Sequence, residues 1–253
     1  MLVDTHCHVD VKEFDPDRSE VVRRAHSMGV ERIVVPSIGA WNWQTVASTC
    51  LRHPGLYPAY GLHPVFTERH EDRDLERLDA WLQEHPAVAV GEIGLDYFIE
   101  NADRARQRAL FEAQLEIAEQ RNLPVLLHVR KAHDEVLSLL RRHRLRGGIA
   151  HAFNGSLQQA ERYLEAGFLL GFGGMLTYPR SRHLRMLARS VPLSAIVLET
   201  DAPDLTGIAH RGKRNEPAWL PEVLQTLSEL REEDPQTLAA TTTRNAMDLL
   251  GLV

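Results

Sequence analysis

Along the 253-residue chain, short apolar segments rich in Val, Ile and Leu alternate with longer segments whose apolar positions recur every three or four residues. Strand-length and helix-length pieces alternating from one end to the other predict repeated βα units around a parallel sheet. Eight strands are expected: Leu2 to Thr5, Arg32 to Pro36, Leu56 to Gly61, Ala87 to Gly91, Pro124 to Leu127, Gly148 to Ala150, Phe168 to Gly171 and Ile196 to Leu198. All are short, as buried barrel strands are. Between the fourth and fifth, Ala105 to Gln120 carries Ala109, Leu110, Ala113 and Leu115 at helix spacing beside a charged face. It stops where Arg121, Asn122 and Pro124 lead into the next strand. A polar loop with Pro203, Gly207, Gly212 and Pro217 follows the eighth strand, and helices over Leu220 to Arg231 and Pro235 to Leu250 are expected to close the barrel. The expected fold class is α/β, a TIM-type (β/α)8 barrel, with residues 1–253 as a single domain of the usual size.

That frame gives the histidines a meaning. Of thirteen, His6, His8, His63, His128 and His151 fall within two or three residues of a predicted strand end. Every strand of a parallel barrel points its carboxyl end to one face, so residues scattered through the sequence converge there. Glu92 follows the fourth strand in GEIGLDY and Asp201 the eighth in LETDAP, so carboxylates join the cluster. His6 and His8 are two residues apart, and in extended chain their imidazoles project to one side.

Mixed imidazole and carboxylate donors suit Zn, Mn, Fe or Co, whereas Mg usually prefers oxygen and retains water. Six ligands, His6, His8, Glu92, His128, His151 and Asp201, exceed one tetrahedral site, and a pair of ions sharing a carboxylate uses them all. The expected cofactor is therefore two divalent metal ions per subunit, Zn, Mg or Mn, with Glu92 as the bridge. The other histidines, including His26, His53, His85, His133, His143, His183 and His210, read as solvated surface.

Composition narrows the partners. A net charge of −6 argues against a protein that holds nucleic acid through a broad basic surface. A polyanionic substrate then depends on bound cations and a few arginines. Two cysteines, Cys7 and Cys50, indicate no disulfide framework and fit a reducing compartment, so a cytoplasmic location is expected. No apolar run approaches a membrane span, and no secretory leader is read at MLVDTHCHVD. RRHRLR at 141–146 reads as a solvated helix end. Gly173 and Gly174 lack any GxxxxGKS or GxGxxG context, so no nucleotide cofactor is expected.

The motifs together resemble the TatD-type metal-dependent deoxyribonucleases of the amidohydrolase superfamily. They are DTHCHVD at 4–10, GLHP at 61–64, GEIGLDY at 91–97, LPVLLHVRKAHDEVL at 123–137, HAFNGS at 151–156, LLGFGGMLTYPRS at 169–181, LETDAP at 198–203, RNEPAWLP at 214–221 and TTTRNAMDLL at 241–250. The resemblance implies a TIM barrel in which His6, His8, Glu92 and Asp201 hold one metal while Glu92, His128 and His151 hold the other. It also implies hydrolysis of DNA phosphodiesters from an end or in single strands, 3'-5' exonuclease-like, with DNA or another nucleic acid bound transiently. Ala152, Asn154 and Asp204 depart from residues common in that family.

In such a centre a metal-activated water attacks the substrate, with Asp201 as general base and Glu92 holding both ions. His63 and Arg130 are expected as substrate contacts, as are Arg214 and Asn215 in the loop after strand eight, where TIM barrels often recognise phosphate. A structural role is the competing reading of all four. Glu199 and Asp204 bracket Asp201, as ligands of an additional cation or as structural hydrogen-bonding groups. Two other functions stay open: an ester or amide hydrolase such as an aminoacyl-tRNA deacylase, and a non-catalytic, metal-stabilised binding protein. The sequence does not fix an oligomeric state.

Overall fold

A computed structural model describes residues 1–252. Eight parallel strands lie in chain order in one sheet: β1 (Leu2–Asp4), β2 (Val30–Pro36), β3 (Leu56–Tyr60), β4 (Ala89–Asp96), β5 (Val125–Arg130), β6 (Gly148–Ala150), β7 (Phe168–Phe172) and β8 (Ile196–Leu198). The sheet curls until its ends meet. Thr5 N–H donates to Leu198 O at 3.0 Å and Asp201 N–H to His6 O at 2.8 Å, which joins β1 to β8. The chain is a TIM barrel.

Helices cover the outside: α1 (Arg18–Ser27), α2 (Trp43–Arg52), α3 (Asp74–Glu84), α4 (Arg104–Arg121), α5 (His133–Leu140), α6 (Leu157–Glu165), α7 (Arg182–Ser190), α8 (Leu220–Arg231) and α9 (Pro235–Leu250). Local chemistry sets several ends. The Asp103 carboxylate accepts the Arg106 N–H at the start of α4, and Ser156 and Gln159 form a reciprocal capping box at α6. Asp234 caps α9, whose first residue is Pro235.

The inside of the barrel explains where the chemistry sits. Val3, Val34, Ala59, Ala89, Leu126, Ile149 and Val197 form an apolar layer, closed from below by Ala246, Leu250 and Leu252 at and just beyond the end of α9. Side chains alternate along a strand, so the residue two places further on also faces inward, one layer nearer the mouth. By that rule Leu126 is followed by His128, Ile149 by His151 and Val197 by Glu199. An apolar plug therefore supports a polar layer directly above it.

Three strands outrun their predicted ends, β7 by one residue to Phe172 and β4 and β5 by more. β4 was expected to stop at Gly91 but continues through Asp96, because Ile93 and Leu95 are buried and pair with Leu127 and Val129 of β5 after an irregularity in register. Glu92 thus lies within the strand, not after it. β5 likewise continues to Arg130, taking in His128. Gly94 makes that pairing possible: its φ is +146°, and a Cβ there would lie 1.9 Å from His128 O.

Candidate metal centre at the barrel mouth

His6, His8, Glu92, His128, His151 and Asp201 do converge. Glu92 is their hub, and its two oxygens face different imidazoles. Oε2 lies 3.0 Å from His6 Nε2 and 3.5 Å from His8 Nε2, while Oε1 lies 2.9 Å from His128 Nδ1 and 3.9 Å from His151 Nε2. Asp201 spans the same gap from the cleft side, with Oδ1 3.8 Å from both His6 and His8 Nε2 and Oδ2 3.7 Å from His151 Nε2. The His6 and His151 rings stack with centroids 3.7 Å apart, so their Nε2 atoms face the same carboxylates.

Asp201 stands in the left-handed region, φ +56°, which a non-glycine residue seldom adopts. Backbone bonds hold it there: Asp201 N–H to His6 O at 2.8 Å and Asp204 N–H to Asp201 O at 2.9 Å. Beneath, Asp4 accepts N–H bonds from His6 at 3.2 Å and Thr200 at 3.0 Å, fixing the β1 and β8 ends together. Burial pushes the Asp4 carboxyl up to about 7 against those donors.

The outer nitrogens decide which inner ones are available. His8 Nδ1 is bonded to Pro36 O at 3.1 Å, leaving Nε2 inward. His128 Nε2 is 3.0 Å from Asp96 Oδ2, leaving Nδ1 for the centre. His151 Nδ1 lies 3.1 Å from Glu199 Oε1, an ion-pair contact, and that oxygen accepts the Ala152 N–H at 2.6 Å. This is the histidine with an outer oxygen partner that metal sites use to fix tautomer and orientation. Gly171 makes room for it, since a Cβ there would lie 2.1 Å from Glu199 Oε2. Glu199 takes the structural hydrogen-bonding role that was one of its two expected readings, whereas Asp96 was not foreseen, although GEIGLDY places it four residues after Glu92. A strand predicted to end at Gly91 hid that relation.

The buried carboxylates bias the imidazoles beside them toward positive charge. Burial works to discharge His8, but Glu92, Asp201 and Asp10 hold its pKa up at about 9. Burial likewise opposes charge on His151, which Glu199 and Asp201 hold up at about 10. Burial raises Asp201 to about 6, against the pull of His151 and His8. Three ligand sets, His6 with Glu92 and His151, His6 with His8 and Asp201, and His63 with Glu92 and His128, each offer donor atoms within 4.8 Å of one another. Inward-turned imidazole nitrogens around shared buried carboxylates fit borderline divalent cations.

The expected substrate contacts divide. His63 stands against Glu92, its Nε2 3.1 Å from Oε1, and is 7% exposed. Its Nδ1 accepts the Val65 N–H at 3.1 Å, so Nε2 carries the hydrogen and donates to Glu92. Burial and the neighbouring His128 lower it to about 4, so the ring is neutral near pH 7. Arg130 lines a cleft of about 740 Å³ beside the centre.

Arg214 and Asn215 are engaged elsewhere. Both Arg214 guanidinium ends bond Asp17, at 2.8 and 2.7 Å, and the group packs over Phe14. Asn215 is buried, donates to Thr200 O and Asp204 O, and so anchors the β8 loop. Several histidines read as solvated are not: His133 is buried between Tyr163 and Asn154, and His85 and His210 stack on Trp81 and Trp219. Tyr163 lies 30 residues from His133, whereas Trp81 and Trp219 are near neighbours in the chain of the histidines they cover. Among the described residues no helix is long and apolar enough to cross a membrane.

Comparison with known proteins agrees with this geometry. The family model for TatD related DNase matches residues 3–251. The chain is 41% identical over 254 residues to the uncharacterized metal-dependent hydrolase YjjV of Escherichia coli, covering 99% of this chain and 98% of that one. It is 35% identical over 255 residues to the 3'-5' ssDNA/RNA exonuclease TatD of Cronobacter sakazakii, covering 98% and 97%. The crystal structure of E. coli YjjV superposes with a TM-score of 0.96 at 40% identity, over 100% of this chain and 98% of that one.

Proposed function

This chain belongs to the family of TatD-related DNases and is a metal-dependent hydrolase, and from that premise we propose that it hydrolyses phosphodiester bonds of single-stranded nucleic acid, working from an end. The observation that carries the reading is Glu92, whose two oxygens face His6 and His8 on one side and His128 and His151 on the other. Two divalent ions would be held by His6, His8, Glu92 and Asp201, and by Glu92, His128 and His151. Once bound, such ions acidify a water and neutralise charge on a substrate oxygen. Residues 1–253 are taken as one catalytic domain.

The remaining roles belong to the chain's own side chains. Asp201 is the general base, because it is the carboxylate of the central pair that reaches the cleft, 16% exposed against 2% for Glu92. From there it takes a proton from the attacking water and passes it to the leaving oxygen. His63 donates Nε2–H to Glu92, and Glu199 and Asp96 hold His151 and His128 in position. Arg130 meets the substrate phosphate from the wall of the cleft. Support for a nucleic-acid substrate comes from relatives named as 3'-5' ssDNA/RNA exonucleases.

The test is a side-by-side assay of labelled single-stranded DNA, single-stranded RNA and aminoacyl-tRNA with added Mg²⁺, Mn²⁺ or Zn²⁺. Shortening of the oligonucleotides from one end is expected. Release of the amino acid with intact oligonucleotides would replace the reading by a carbonyl-ester hydrolase. Asp201→Asn is expected to abolish turnover with metal retained, and near-normal turnover would exclude it as the base.

A further inference from the structure

Beside the centre, the β4 and β5 ends place an aromatic ring and two cations together. Phe98 is a large apolar residue left 49% exposed. The Arg130 guanidinium carbon lies 3.8 Å from its ring centroid and Lys131 Nζ lies 4.6 Å from it. Neither cation makes a side-chain hydrogen bond or ion pair among the described residues. In a chain of net charge −6, they are free to meet an anion. Arg180 and Arg182 line the same cleft as Arg130 and are likewise without such partners among the described residues.

The ring is tied to the chemistry. Asp96 Oδ1 accepts the Phe98 N–H at 2.9 Å while Oδ2 meets His128 Nε2 at 3.0 Å, so one carboxylate sets both the ring and a candidate ligand. Trp41 carries Arg69 at 3.9 Å much as Phe98 carries Arg130, but it is also stacked on His70, with ring centroids 5.3 Å apart. Phe98 is the more open of the two.

We propose that Phe98, with Arg130 and Lys131, forms a stacking subsite for an unpaired nucleobase next to the scissile phosphate; this rests on the phosphodiesterase reading above. An aromatic face with adjoining cations holds single strands by stacking the base and meeting the phosphate. A paired base has its faces covered within the duplex. The site therefore selects unpaired strand ends.

The experiment compares two single-stranded oligodeoxynucleotides of one sequence. One carries every base, and the other carries abasic tetrahydrofuran units at the two nucleotides flanking the first scissile bond. Each is assayed with wild type, Phe98→Ala and Phe98→Trp in the presence of Mn²⁺. Phe98→Ala is expected to lower kcat/KM on the complete strand about tenfold, mainly through KM, to leave the abasic strand unaffected, and to be rescued by Phe98→Trp. A 2-aminopurine at the terminal position is expected to lose fluorescence on binding wild type but not Phe98→Ala. Equal rates for wild type and Phe98→Ala on the complete strand, or equal losses on both strands, would overturn the subsite and leave the phosphodiesterase reading standing. Failure of wild type to cleave either strand would overturn both.

Discussion

Asp96 Oδ2 meets His128 Nε2 at 3.0 Å, on the opposite side of the imidazole from Glu92, whose Oε1 lies 2.9 Å from Nδ1. The ring is thereby held between two carboxylates, and only Nδ1 faces the centre. An outer partner of this kind typically contributes 10–100-fold to metal affinity. Asp96→Ala is expected to weaken divalent-metal binding by roughly that factor, read by competition with a chromophoric chelator. Unchanged affinity would mean that His128 is oriented by something else.

Gly171 tests the other outer carboxylate without touching it chemically. A methyl group at this position would lie 2.1 Å from Glu199 Oε2 and 2.7 Å from its carboxyl carbon, so the carboxylate must shift to admit it. Gly171→Ala is therefore expected to push Glu199 off the Ala152 N–H and His151. Metal affinity should fall about tenfold or more, with the far-ultraviolet circular dichroism of a folded barrel retained. Serine, larger still, should be no better tolerated.

Arg214 and Asn215 bond other parts of the chain, and that allows stability to be separated from catalysis. Removing Asn215 leaves Thr200 O and Asp204 O without their donors at a buried site, a cost of about 1–3 kcal/mol for Asn215→Ala in urea unfolding. Arg214→Ala should cost about 1 kcal/mol, because its pair with Asp17 is partly exposed. KM for a short oligonucleotide should be unchanged in Arg214→Ala. A large rise in KM there would restore Arg214 as a substrate contact.

The same pair predicts a pH dependence. Hydrogen bonds from Arg214 hold the Asp17 carboxyl below its usual range. A depressed carboxylate contributes stability that is complete above its unfolded-state pKa and is lost as pH falls through its folded value. The gap between wild type and Arg214→Ala should be full near neutrality and close progressively below about pH 4. Thermal melts from pH 7 to pH 3 read it directly, and a gap that widens on acidification has the wrong sign.

Much of this was legible before any coordinates. The helices over Leu220–Arg231 and Pro235–Leu250 follow the sequence pattern to the residue, because Pro235 and the flanking polar turns mark their limits. The inward set His128, His151 and Asp201 was legible from strand ends alone, since barrel topology converts one-dimensional spacing into a common face. What escaped depends on contacts between distant segments. Asp96 was hidden by the β4 extension, which β5 imposes through pairing. Arg214 looked free because its partner, Asp17, lies 197 residues away. His63 was placed on the right face, but its tautomer depends on a local N–H from Val65 that no residue-type pattern encodes.

The most direct test of the metal-centred reading is oligonucleotide hydrolysis by chelator-stripped protein titrated with Mn²⁺, with bound metal per chain measured alongside. Hydrolysis should be absent after stripping and should return in step with binding, saturating at about two ions per chain, while Glu92→Ala should lose both binding and hydrolysis. Hydrolysis that survives stripping, or undiminished metal binding by Glu92→Ala, would contradict it.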